Sequence, residues 1–443
     1  GHDMSTRPEP REVAAAFVGL LRSPRFSAVL ATTGVAIAAL SYPLVRLTGW
    51  AGYLAALIGL IALMGVVLVV RRRELDRELP PISLLVFLAW AGISVLWSEY
   101  QWVTLGGAAY LVGYAFVGAF IAYTRDTIQV VRTWGDVLRV VLGVSLAIEI
   151  FSGILIDSPI PFLNVQARIA ELGPISGVLQ TRNQLGLLGL IGAVSFATEL
   201  RTRSVRPLVG VLSLIGAALC IVLTQSPIII ATAGLVAVAA AVLYGIRRVR
   251  ADRRQAWQFV ILGAAVALIV VAWLFRGALV NLFNAQGALN YRLNLWQKIV
   301  ALLPGNTIEG WGWTGRWHPE VAPYIALTVT NNRPAQSALN AFLDVWFQLG
   351  IIGLVVFVGM LGLAFTRSWL LAGRRRSVIY AWPALVLVSL LFVSLAESSI
   401  LVEFGWLTFV VCCVTASREL SWRSALATPP KPELPHDEGA ASP

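Results

Sequence analysis

The sequence predicts an all-α polytopic membrane protein of about twelve transmembrane helices, with one large extracytoplasmic loop. Apolar residues fill 58% of the 443 positions and charged residues only 13%, with a mean hydropathy of +0.77, far from a soluble composition. The apolar residues come in runs close to the roughly 20 residues that a hydrocarbon core asks of a helix. The 34 basic residues cluster between those runs and form no single soluble face, so the net charge of +11 does not point to nucleic acid.

In chain order, the opening GHDM reads as a tag remnant around Met4, and residues 1–26 form a basic N-terminal segment. No small-residue cleavage site follows a short apolar core, so a cleaved signal peptide is not expected. Spans begin near residues 27, 50, 81, 103, 137, 184, 207, 226 and 257, grouping 27–275 as a bundle of about nine helices. The sixth, Gln184–Leu200, is short and rich in glycine. Residues 276–337 form the large loop, and 338–416 hold the remaining spans, beginning near 338, 378 and 398; the polar break AESS separates the last two. Residues 417–443 are polar and proline-rich and read as a disordered tail. Cys220, Cys412 and Cys413 lie inside apolar runs without metal or disulfide spacing, and read as core residues.

Orientation follows from the basic residues, which concentrate on the cytoplasmic side. With the N-terminus inside, RRRELDR (71–77), RTRSVR (201–206), RRVRADRR (247–254) and RSWLLAGRRR (367–376) all fall inside, as do both tails. Only Arg46, Arg168, Arg182, Arg276, Arg292, Lys298, Arg316 and Arg333 fall outside, seven of them in segments 157–183 and 276–337.

Those two loops are where chemistry is expected. In the larger one, ALNYRLNLWQKIVALLPG reads as a helix stopped by Pro304-Gly305, with Leu289, Leu293, Trp296, Val300 and Leu303 on its apolar face. Arg292 falls on the apolar side, where it must snorkel, meet a buried acid or point into a polar cavity. The following GNTIEGWGWTGRWHPEV carries Arg316 and three tryptophans, Trp311, Trp313 and Trp317, which suit either a membrane boundary or the face of a sugar ring. His318 is the one histidine outside the tails and the group whose ordinary pKa suits proton transfer near neutrality. The smaller loop ends in GVLQTRNQLG, placing Arg182 and Asn183 at a helix start where backbone N–H groups favour an anion.

After the large loop, QSALNAFLDVWFQLGIIG opens the next span with Gln336, Asn340, Asp344 and Gln348 at intervals of four. A continuous helix here carries one polar stripe between apolar flanks.

The order GVLQTRNQLG, YRLNLWQKIVALLPGNTIEGWGW, SALNAFLDVWFQLGIIG resembles the O-antigen ligase and O-antigen polymerase superfamily of bacterial membrane glycosyltransferases, directly over about residues 160–360. The resemblance implies a GT-C-like fold in the bacterial cytoplasmic membrane. The implied reaction moves a glycan from a polyprenyl-pyrophosphate carrier to a glycan or envelope acceptor hydroxyl at the outer face, without cofactor, metal or nucleotide sugar. It also implies that Arg292 and Arg182, with Arg316 and Arg333 nearby, hold pyrophosphate, and that Asn183, Asn340, Trp311, Trp313 and Trp317 line the glycan path. Where the family places a histidine ahead of Asn340, this chain has Ser337, Ala338 and Leu339. The basic residue that often follows Ser226 in relatives is Pro227 here, and Ser399 follows Glu397-Ser398 where an arginine is common. Asp344, His318 and Glu397 are the remaining candidates for the catalytic base. Two other readings stay open at this point: a non-catalytic carrier-lipid binder that recruits assembly enzymes, and a transporter, which calls for an inverted repeat.

Overall fold

The computed structural model describes residues 10–75, 78–250, 252–282, 285–328 and 334–420. The tag remnant, Arg333 and the tail beyond residue 420 lie outside the described residues. Among these residues there are sixteen α-helices and no strand, only an isolated bridge between Ile160 and Val165. The first half runs α1 (Pro10–Arg22), α2 (Pro24–Ala39), α3 (Ser41–Val70), α4 (Ile82–Ile93), α5 (Gln101–Thr124), α6 (Thr127–Ile150), α7 (Arg182–Arg201) and α8 (Pro207–Leu223). The second runs α9 (Pro227–Arg248), α10 (Arg254–Leu274), α11 (Arg276–Leu282), α12 (Gln286–Leu302), α13 (Tyr324–Thr328), α14 (Ala341–Arg374), α15 (Ala381–Val393) and α16 (Glu403–Glu419).

Each of the twelve apolar stretches contains a helix, but the helices differ in reach. Five among the described residues are long and apolar enough to cross a membrane: Ser41–Val70, Gln101–Thr124, Thr127–Leu155, Pro227–Arg248 and Ala341–Arg374. A sixth arises if the bent pair Arg11–Arg22 and Pro24–Ala39, which turns by 60°, counts as one span. Ile82–Leu96, Pro207–Leu223 and Val378–Val393 are apolar but shorter. Proline sets several starts: Pro24, Pro207 and Pro227 occupy first helical positions, where the missing N–H is no loss.

The core is organised around α16. Every residue from Glu403 to Val414 is buried, including Cys412 and Cys413; Cys220 is buried too, as expected of core cysteines. A buried indole N–H left without a partner costs free energy, and here three such groups tie helices together. Trp406 donates to the Leu111 carbonyl at 3.0 Å, Trp134 to Thr408 Oγ1 at 3.1 Å and Trp382 to Ser195 Oγ at 2.9 Å. These bonds fix the rotation of α16, α6 and α15 against their neighbours. The C-terminal helix continues through Glu419, past the predicted start of the tail at 417, because Ala416 is still buried in the bundle.

The expected continuous helix after the large loop is interrupted. Gln336 precedes it, Asn340 caps it, and within α14 Gly350 adopts φ 69°, ψ −173°. A side chain there is strained, and an added Cβ would lie 1.9 Å from the Ile308 carbonyl oxygen. The short piece before Gly350 is thus a separate ledge, and loop 306–316 rests in the notch.

Candidate functional site

The site begins with that notch. Breaking a helix frees backbone groups that need partners, and the loop supplies them. Trp311 N–H donates to the Phe347 carbonyl at 3.1 Å, Gly312 N–H to that of Gln348 at 2.8 Å, and Ile351 N–H to that of Thr307 at 3.0 Å. The Gln348 side chain finishes the docking: its Oε1 accepts from Thr314 N at 2.8 Å and Gly315 N at 2.9 Å. Asp344 lies one helical turn before Gln348, fully buried. It accepts from Trp317 Nε1 at 2.9 Å, Gln348 Nε2 at 2.7 Å and Ala338 N at 3.2 Å. Asp344 and Gln348 therefore clamp the loop, while Asn340 accepts from the N–H groups of Phe342 and Leu343, both at 3.0 Å, as an N-cap.

This docking aims Arg316 inward. Its Nε and Nη2 donate to the two carboxylate oxygens of Glu403, each at 3.0 Å, a bidentate pair. Tyr110 OH adds a 2.8 Å bond to Glu403 Oε1, and Tyr53 links Tyr110 to Tyr114 behind it. The Glu403 carboxylate holds the Arg316 pKa above its already high ordinary value, although burial opposes it.

Arg292 arrives from α12. The buried face of that helix is Leu295, Ile299 and Leu303, while Leu293 and Val300 are exposed. The predicted apolar stripe is therefore rotated, because the helix packs by the side that also carries Arg292. Of the three options for an arginine on that side, the structure has the buried acid: Nη2 donates to Glu397 Oε1 at 2.7 Å and Nε to the Ala396 carbonyl at 3.1 Å.

The smaller loop delivers the third component. Glu149, buried in α6, accepts from Ser176 N at 3.1 Å and Gly177 N at 2.9 Å, pinning the loop just before α7. Thr181 caps α7, accepting from Gln184 N at 3.2 Å. Asn183 then donates to the same Glu397 Oε1 that receives Arg292, and its own Oδ1 accepts from Ser226 at 2.6 Å. Arg182 donates to the Gln225 carbonyl at 3.2 Å and lies within electrostatic reach of Arg292 and Glu397. Burial pushes the Glu397 carboxyl above its ordinary pKa, against the pull of Arg292 and Asn183.

These pieces enclose a cavity of about 600 Å³. Asn164, Gln180 and Thr181 line it from the smaller loop, Tyr291, Arg316, Gln336 and Ser337 from the larger one, and Glu397, Ser398 and Ser399 from the break before α16. Gln180 and Gln336 meet at 3.2 Å, joining the two loops. Gln184, Ser399 and Val402 are shared with a narrow crevice of about 40 Å³ whose other walls include Ala38, Tyr42, Leu187 and Phe404.

Of the site residues expected from sequence, Arg182, Asn183, Arg292 and Glu397 thus come together, and Arg316 lines the same cavity. Trp313 and Trp317 are buried, 1% and 3% exposed, with their faces spent on Phe87 and on Tyr324 and Phe347; neither presents a ring to a sugar. Trp311 is half-buried beside Phe347. His318 is exposed, although Arg316 and Trp317 beside it turn inward. Sequence reasoning passed over Glu403, Glu149 and the tyrosine group. Glu403 and Glu149 carried a usable signal, since an acid inside an apolar run is a site candidate by default.

Residues 211–358 match the family model described as O-Antigen ligase. The match supports the O-antigen ligase and polymerase superfamily for this chain. That match spans about a third of the chain, and the five long apolar helices suggest, with it, a multi-pass membrane protein. The matched segment runs from α8 into α14 and includes Arg292 and Arg316, whereas Arg182, Glu397 and Glu403 lie outside it. No curated protein matches the chain.

Proposed function

We propose that this protein transfers a glycan from a polyprenyl-pyrophosphate carrier to an acceptor hydroxyl at the outer face of the bacterial cytoplasmic membrane. In this reading the chain crosses about twelve times in a GT-C-like arrangement with both termini cytoplasmic. The observation that carries it is the convergence of both outer loops and the ESS break on one cavity containing Arg316 and Glu397, with Arg292, Asn183 and Arg182 behind.

The chemistry runs as an inverting displacement. The acceptor oxygen bonds to the anomeric carbon as the bond from that carbon to the pyrophosphate oxygen breaks. The acceptor proton passes to the Glu397 carboxylate, whose burial-raised pKa suits a base. Charge left on the pyrophosphate is met by Arg292, Arg316 and Arg182, guanidiniums preorganised by carboxylate and carbonyl partners. Asp344 is the second candidate base and His318 the third; the burial of Asp344 and the exposure of His318 favour Glu397. The crevice beside α7 suits the first part of an isoprenoid chain, since its walls include Ala38, Leu187, Leu188 and Phe404. Trp311 and Asn340 belong to the glycan side in this reading.

The test is turnover of a polyprenyl-pyrophosphate oligosaccharide by the purified full chain in lipid. Arg292→Ala is expected to abolish transfer, and equal turnover by that variant rejects the assignment. A second reading, a carrier-lipid binder without transfer, is favoured by one observation: Ser337, Ala338 and Leu339 stand where relatives place a histidine before Asn340. Donor binding with no pyrophosphate-lipid release across several acceptors would select it.

A further inference from the structure

A second polar cavity lies at the opposite end of the bundle from the site. It measures about 190 Å³, well above the ~10–15 Å³ that one water needs. Its walls come from the α5–α6 junction (Arg125, Asp126, Thr127), from Tyr380 ahead of α15, and from the end of α16 (Thr415, Arg418). Glu419 also lines it.

Charge in this cavity is unevenly committed. Asp126 is occupied as the N-cap of the 24-residue helix α6, in a capping box with Gln129. Glu419 is held by Arg375 at 3.2 Å. Arg418 donates to the Ala122 carbonyl and covers the Tyr123 ring at 5.2 Å. Arg125 differs: its Nε is buried and has no hydrogen-bond partner. That buried Nε does not face the cavity, but Arg125 and Arg418 both line it, and a guanidinium at a cavity wall is a natural phosphate partner. Burial pushes the Arg125 pKa down, Asp126 opposes that, and Arg71 adds to it. An anion in the cavity offsets the repulsion between Arg125 and Arg71.

We infer that this cavity binds a phosphate group through Arg125 and Arg418, and that its source in the membrane is the headgroup of an anionic phospholipid. The position fits, because Arg71, Arg375 and Arg418 belong to the end of the bundle that carries the basic clusters. Basic pockets between helices at that side of a membrane suit acidic headgroups.

Native mass spectrometry of the full chain, released from detergent with added phosphatidylglycerol or phosphatidylcholine, tests the inference. The expected result is retention of phosphatidylglycerol over phosphatidylcholine, weakened about tenfold in Arg125→Gln, as for loss of a charge-assisted bond. Arg206→Gln removes the same charge from an exposed position outside the cavity and is expected to behave as the unaltered chain. Thr415→Trp fills the cavity without changing charge; loss of retention in it supports the site even if Arg125→Gln fails to fold. Inorganic phosphate supplies the other arm: if it raises the unfolding temperature of the unaltered chain but not of Thr415→Trp, the same site takes free phosphate. Equal retention of the two lipids, or equal behaviour of Thr415→Trp and the unaltered chain with both probes, overturns the inference.

Discussion

Arg292 of the large loop and Glu397 of the break before α16 form a 2.7 Å ion pair, with side chains only 14% and 12% exposed. Removing one member of such a pair strands the other, whereas removing both relieves the stranded charge. Arg292→Ala is therefore expected to destabilise the protein by about 3–5 kcal/mol. Arg292→Ala/Glu397→Ala should be closer to the unaltered chain. Unfolding in detergent measures both, and turnover should stay absent in the double variant although its stability returns.

The same pair sets a pH dependence. Burial raises the Glu397 pKa, so a reaction that needs its carboxylate gains rate with rising pH, on a limb centred above the ordinary glutamate range. Arg292→Gln removes a positive neighbour that favours the charged form, so whatever activity remains should have its limb moved to higher pH. A pH–rate profile with saturating donor checks this; a limb unmoved by Arg292→Gln, or retained in Glu397→Gln, assigns the base elsewhere.

Asp344 Oδ1 accepts from Trp317 and Gln348 and its Oδ2 from Ala338 N, and Asp344→Asn turns one of these two acceptors into a donor facing a donor. The expected cost is about 1–3 kcal/mol. Donor binding should weaken together with turnover, because the loop that aims Arg316 loosens. Gln348→Leu is expected to behave the same way. An Asp344→Asn protein that binds donor normally, is equally stable and yet transfers nothing would make Asp344 the base.

Gly350→Ala tests the notch. A residue with a side chain in this essentially glycine-only backbone region costs about 1–3 kcal/mol, and the Cβ meets the Ile308 carbonyl besides. The variant should expose loop 306–316 to limited proteolysis and lower the unfolding temperature. Gly359→Ala in the same helix, with open space around its Cβ, should do neither.

Much of this could be read from the chain, for identifiable reasons. Apolar runs are local signals, so the helices were legible, and so was a helix start at Arg182 and Asn183. Arg292 was legible as a problem, a charge on an apolar face, but its solution lies 105 residues away in Glu397. The notch at Gly350 was hidden, because LGIIG continues an apolar helical pattern and only the incoming loop makes the break favourable. The tryptophans misled for a related reason: GWGWTGRW has the composition of a surface platform, yet Gln348 and Asp344 draw Trp313 and Trp317 into the core.

Arg292 and Arg316 of the large loop find their carboxylates on one stretch, since Glu397 and Glu403 are separated only by Ser398–Val402. Segment 397–403 is therefore the socket into which Arg292 and Arg316 plug. Chimeras that exchange the loop between relatives should fail when they carry the plug alone, and should recover expression and folding when the donor's own socket travels with it.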